Sequence, residues 1–354
     1  MRTTEHHDAP RWATSASVGL ARFDHLPPHV PNGALTGGMV HGLAIAGDGV
    51  EELAWPPALL EHDERWRWLH FDRTSPQTET FLRERLALPE QVVEGLLDTD
   101  TRPRLTRAPG GLLMILRGVN HNAGEAPDQM VALRLWIAPG LVVSLRRSPL
   151  LSVHEMHEAY LHGDGPRTID GFLADLIEHI SDRVADVVAD LVREMDALED
   201  VVIAAEEDAS TRERLGNLRR RVARLTRYLA PQRDALRALA RVPDLFTDAT
   251  ALDLSESVEQ TQQVVEELEA ARERAIILSD ELRNRADARV ARHSYILSVA
   301  AGVFLPITFL TGLLGINVGG IPGADEPNAF WIVVGLCALI ATALWGVFLT
   351  RRWF

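Results

Sequence analysis

A chain of 354 residues is long enough for one soluble domain, a helical segment and a small membrane part. Its net charge of −14 argues against a nucleic-acid partner and fits a cationic ligand. The single cysteine, Cys337, excludes disulfides and Cys-based zinc sites within one chain.

Residues 1–32 are polar and rich in Pro and His, and read as a disordered tail with no secretory signal. Residues 33–170 mix short strands with helices. Met39–Ile45 and Arg65–Asp72 alternate roughly as strands do, Leu112–Val119 is an apolar strand, and Met130–Ile137 and Leu141–Arg147 form a hairpin around Pro139-Gly140. Helical stretches intervene at Pro76–Leu86 and Glu90–Leu97. The expectation is a sheet covered by helices. No phosphate-cradling glycine loop or nucleophile elbow is present, so nothing here reads as an enzyme.

His154 and His157 stand at i, i+3, with His162 nearby, so a helix here would put two imidazoles on one face. That spacing can hold zinc if a third ligand comes from elsewhere, although surface histidines without metal are the commoner outcome.

From Thr168 the pattern is helical, and residues 171–293 read as a cytoplasmic hairpin and stalk. Ser181–Asp208 carries ten acids against Arg183 and Arg193; Thr211–Arg241 carries ten arginines against Glu213 and Asp234. Two helices of opposite sign should pair antiparallel, with Val184, Val187, Val188 and Leu191 inside. A third helix is expected to start near Ser255 as N-cap and to meet no proline until Pro306. Continuous through Leu314, it would be about 60 residues, or roughly 90 Å, long. A helix of that length calls for an oligomer to bury one stripe along it.

Ser294 to Leu314 is uncharged and long enough to cross a bilayer, and Ala329–Leu349 is a second such run. Arg283, Arg285, Arg289 and Arg292 precede the first span, and Arg351 and Arg352 follow the second. The loop 318–328 has no basic residue and carries Asp325 and Glu326. Both termini are therefore expected in the cytoplasm, with residues 350–354 forming a cytoplasmic end and the loop outside. Steps of three and four back from Gly315 select Gly312, Thr308, Leu305, Ala301, Leu297, Ser294 and Val290, a stripe smaller and more polar than the flanks bearing Tyr295, Phe304 and Phe309. Such a stripe serves either as a close-packed helix seam or as the lining of a pore.

The run from Phe304 to Gly315-Ile316-Asn317, with its Leu-Pro-Ile-Thr-Phe lead-in, resembles the CorA superfamily of divalent-cation channels, in which Gly-Met-Asn ends the first of two C-terminal membrane helices. Ile316 stands where methionine is usual. The continuation Val318-Gly319-Gly320-Ile321-Pro322-Gly323 is similar to the ZntB zinc-transporter branch.

The resemblance implies an α+β cytoplasmic domain followed by long α-helices and two C-terminal transmembrane helices, 294–317 and 329–349, in a funnel-shaped homopentamer of a bacterial inner membrane. It implies a selectivity ring of Gly315, Ile316 and Asn317, the stripe Val290 to Gly312 as pore lining, Zn2+ as transported ion without a cofactor, and at Asp280 an acidic subunit-interface residue that binds a regulatory metal ion. Alternatives are a Mg2+, Co2+ or Ni2+ channel and a non-conducting signalling scaffold. The resemblance also implies proton coupling for the zinc branch, yet neither span holds a carboxylate or histidine, so no proton relay is visible.

Overall fold

The structure, a computed structural model, describes residues 37–47, 49–57, 65–99, 101–122, 124–204, 209–316, 321, 323 and 326–350. The expected tail, Asn317, most of the interhelical loop and Arg351–Phe354 lie outside the described residues. The chain divides into two units, with the break between Ile276 and Ile277.

The first unit is built on one mixed sheet. Its strands are β1 (Met39–Ala46), β2 (Gly49–Glu52), β3 (Trp66–Asp72), β4 (Arg104–Ala108), β5 (Gly111–Gly118), β6 (Val131–Ala138) and β7 (Leu141–Arg146), in the order β2-β1-β3-β7-β6-β5-β4. Among the described strands only the central β3–β7 pairing is parallel; the other pairings are antiparallel. Strand β3, Trp-Arg-Trp-Leu-His-Phe-Asp, is covered on both faces, which is why aromatic and polar residues alike are buried along it. Two hairpins turn on Pro-Gly. Pro139-Gly140 joins β6 to β7 and Pro109-Gly110 joins β4 to β5, with Gly140 at φ 73° and Gly110 at φ 88°, the positive φ of a type II turn's second corner.

Helices α1 (Pro76–Thr80), a π-helical turn (Phe81–Arg85) and α2 (Glu90–Leu97) cover one face, packing Phe81, Leu82, Val92, Val93 and Leu96 on Phe71, Leu113 and Trp136. The C-terminal carbonyls of α2 accept from arginines, as the helix dipole favours. Arg73 Nη1 donates to Leu97 O and Asp98 O at 3.0 and 2.6 Å, and Arg134 Nη2 donates to Asp98 O at 3.0 Å. Burial, with Arg73 beside it, pulls the Arg134 guanidinium down to about 10.

The other face packs α3 (Leu151–His162), α4 (Ile169–Ile203), the end of α5 (Ala209–Leu239) and the start of α6 (Asp248–Leu314) on Leu43, Trp68, Met114 and Leu135. The seam between α4 and α5 buries Val184, Val188, Leu191 and Met195 with Leu218, Val222 and Leu225, while Val187 is half-buried. The charges do not zip simply along that seam. Arg221 of α5 reaches Glu194, but Asp196 and Glu199 of α4 are taken by Arg274 of α6. Helix α5 is also tied to the sheet. The Gln232 amide accepts from Arg117 N at 2.7 Å and donates to Arg117 O at 3.1 Å, and the buried Asp128 carboxylate meets Arg221 and Arg224.

Helix α6 begins at Asp248, seven residues before the expected Ser255. Thr247 caps it instead: its hydroxyl accepts from Thr250 N at 3.4 Å, and Asp170 accepts from Thr247 N and the Thr250 hydroxyl. Ser255 lies inside the helix with its hydroxyl donated back to Ala251 O. The helix runs 67 residues with Pro306 inside it. In the second unit it is followed by α7 (Ala329–Thr350).

Candidate ion path

All seven positions of the stripe on α6, Val290, Ser294, Leu297, Ala301, Leu305, Thr308 and Gly312, are exposed, with Leu297 72% and Leu305 67% accessible. The half-buried residues of the same helix between 294 and 314, Tyr295, Val299, Ala300, Gly302, Val303, Ile307 and Leu310, fall on one side. At about 100° per residue that face lies half a turn from the stripe. On α7 the half-buried Ala329, Val333, Cys337, Ile340, Ala341 and Leu344 likewise share one face, with half-buried Gly346 off it. This is the pattern of two helices leaning together, and it leaves the stripe uncovered on the opposite side of α6.

The stripe offers carbon and hydroxyl groups and no carboxylate. Off the stripe, Ser298 and Thr311 turn their hydroxyls back onto Ser294 O and Ile307 O, at 2.9 and 3.0 Å. The helix ends where Gly315 N donates to Thr311 O at 3.0 Å and Gly312 O at 3.2 Å, the tightened last turn of a C-terminus. Gly315 and Ile316 follow, exposed; Asn317 lies outside the described residues. Asp280 is exposed on α6, and Arg283 and Asp287 face each other at 3.9 Å on its surface.

The histidines divide. The segment 151–162 is helical, but His154 is exposed whereas His157 turns inward and stacks on His41 of β1, ring centroids 4.2 Å apart. On its other side His41 stacks on His70 of β3 at 4.7 Å. His70 Nδ1 is 2.7 Å from Ser144 Oγ, which also accepts from Trp68 Nε1 at 2.8 Å. Burial pushes all three imidazoles below the ordinary histidine range, His70 down to about 3. Among the described residues no three His, Cys, Asp or Glu side chains converge as metal ligands. Sequence reading missed His41 and His70. The register that pairs His41 with His70 across β1 and β3 places them together, and one-residue alternation about Trp68 already pointed His70 to the Trp68 side.

Residues 63–352 match the family described as CorA-like Mg2+ transporter protein. The divalent cation transporter CmaX of Pseudomonas aeruginosa is 39% identical over 321 residues, 89% of this chain and 97% of that protein. The zinc transport protein ZntB of Pectobacterium atrosepticum is 34% identical over 288 residues, 81% of this chain and 86% of that protein. Among solved structures, that of the full-length CmaX protein is 38% identical and superposes with a TM-score of 0.78, covering 91% of this chain and 100% of that one. With a family model matched over residues 63–352 and two uncharged stretches in its C-terminal part, Ser294–Leu314 and Ala329–Leu349, this chain belongs to the CorA-like Mg2+ transporter family.

Proposed function

We propose that this protein is an inner-membrane transporter of divalent cations, with zinc as its ion, working as a homopentamer whose first spans surround the path. The observation that carries the reading is the uncovered, carboxylate-free stripe on α6. A single helix cannot enclose a conduit, so several copies must bring their stripes to one axis. Such a lining cannot replace the water of a bare divalent ion, whose desolvation would cost many kcal/mol. It suits an ion that keeps its first water shell, passing Leu297 and Leu305 as apolar constrictions and Ser294 and Thr308 as hydroxyl rings. Gly315, Ile316 and Asn317 form the outer mouth, where the Asn317 amide holds the hydrated ion by hydrogen bonds. The second spans face lipid. Arginines on the cytoplasmic flanks put both termini inside.

Zinc is favoured by the likeness to ZntB and by Ile316 with the Gly-Gly-Ile-Pro-Gly loop. The test is metal flux into proteoliposomes, zinc against magnesium, with and without a pH gradient. Zinc uptake should outrun magnesium uptake, and a rise with an imposed proton gradient would add proton coupling to the reading. Equal rates would favour the Mg2+, Co2+ or Ni2+ alternative, and no flux of any ion would favour a scaffold.

A further inference from the structure

Alternation along β6 sets Arg134 on the sheet face of Trp136, the face covered by α2, and register lines it up with Ile115 of β5 and Arg104 of β4. Arg117, opposite Ala132, is its diagonal neighbour on β5. Arg73 Nη1 and Arg134 Nη2 donate to the same oxygen, Asp98 O, at 2.6 and 3.0 Å, and Arg104 Nη2 lies 3.5 Å from the Asp98 carboxylate. Arginines from three elements therefore meet at the C-terminal end of α2. Arg134 is only 2% exposed and, with its guanidinium at about 10, still cationic at neutral pH. Guanidinium groups are almost never buried so fully without an ion-pair partner. Of the described charges that act most on Arg134, Arg73, Arg117 and Arg104 are cations and Asp98 is an anion. The α2 carbonyls account for one nitrogen of each of Arg73 and Arg134, but Nε of both and Nη1 of Arg134 are closed to solvent and lack acceptors. A buried cation among cations, with donors unmet, is costly unless an anion compensates it.

We propose that Arg73, Arg104 and Arg134 bind a phosphate-type oxyanion at the C-terminal end of α2. Planar guanidinium forks match the paired oxygens of such an anion, with N–H···O contacts of about 2.7–2.9 Å. Arg117 contributes field rather than contact, since its side chain is committed to Thr101 and to Met130 O. The α2 carbonyls and the Asp98 carboxylate oppose an anion; Arg73 and Arg134 already cover the carbonyls, and Arg104 faces the carboxylate. Arg73 and Arg104 are half-exposed, whereas Arg134 is sealed beneath. The anion enters as the two outer side chains part, and its charge draws them back over it. This inference does not depend on the transport reading.

The test uses the full chain in detergent, treated with chelator and dialysed to equilibrium against radiolabelled inorganic phosphate, with unlabelled ATP or sodium chloride as competitor. The wild-type protein should hold an equivalent of phosphate that chloride at the same concentration does not displace. Displacement by ATP would assign the site to the phosphates of a nucleotide, and retention against ATP to free phosphate. Arg73→Gln and Arg104→Gln should each weaken binding about tenfold or more. Arg134→Met replaces the buried cation by an apolar side chain and should abolish binding while the melting temperature holds or rises. Should that variant misfold, the two half-exposed positions supply the same readout. Asn317→Ala should keep the phosphate even where it abolishes flux, so the two readings fail separately. No retention by the wild-type protein, displacement by equal chloride, or unchanged binding in Arg73→Gln and Arg104→Gln would overturn the proposal.

Discussion

The buried histidines make the soluble unit acid-sensitive, and His41→Leu is the change that exposes this. In the folded chain His41 and His70 stay neutral well below the ordinary histidine range, because burial penalises the imidazolium. The unfolded chain takes up protons at these positions below about pH 6.5. Since the unfolded state binds more protons there, stability is fully present above that pH and falls as pH drops below it. Each histidine contributes a slope of about 1.4 kcal/mol per pH unit. Between pH 6.5 and 4.5 the pair therefore removes about 4–5 kcal/mol, a large part of the 5–15 kcal/mol typical of a domain. His41→Leu should remove about half of that slope. Urea unfolding of chelator-treated protein, followed by tryptophan fluorescence, measures it, since the Trp68 ring is 4.6 Å from that of His41. Identical slopes for wild type and variant over this interval would refute the reasoning.

Further changes test the ion path and the packing. Leu305→Ser replaces an apolar ring with hydroxyls and should raise zinc flux and admit magnesium; an unchanged rate in a fluorescent-dye liposome assay would remove Leu305 from the lining. Asp128→Asn removes the carboxylate shared by Arg221 and Arg224, a residue only 3% exposed. It should lower unfolding stability by about 1–3 kcal/mol, read as a fall in the melting temperature. Thr247→Ala removes the cap of α6 and should cost about 1 kcal/mol, with faster amide exchange at its first turn.

The strands with an apolar pattern were legible in the sequence, as were the helices, because period-two and period-3.6 burial write themselves into residue order. Edge strands were not. β2 is Gly-Val-Glu-Glu and β4 is Arg-Leu-Thr-Arg-Ala, each half-solvated and without clear alternation. The Pro109-Gly110 turn is a signal for β4 of the same kind as Pro139-Gly140. The α6 start was misplaced because Ser255 has the chemistry of a cap, whereas the choice of Thr247 depends on Asp170, 77 residues away in sequence. The stripe on the first span came directly from periodicity, since only one face of that helix is small and polar. The histidine stack could not, because it joins β1, β3 and α3 through pairing that only the fold supplies.

The account stands most squarely on which face of the first span meets the ion, and thiol accessibility during transport reads that face directly. The chain's sole cysteine, Cys337, can first be replaced by serine. In that background Leu305→Cys and Thr308→Cys should each lose zinc flux when a membrane-impermeant thiol reagent is added during transport, whereas Phe304→Cys and Phe309→Cys should keep it. Equal sensitivity at all four positions, or block only at the two phenylalanine sites, would contradict the account.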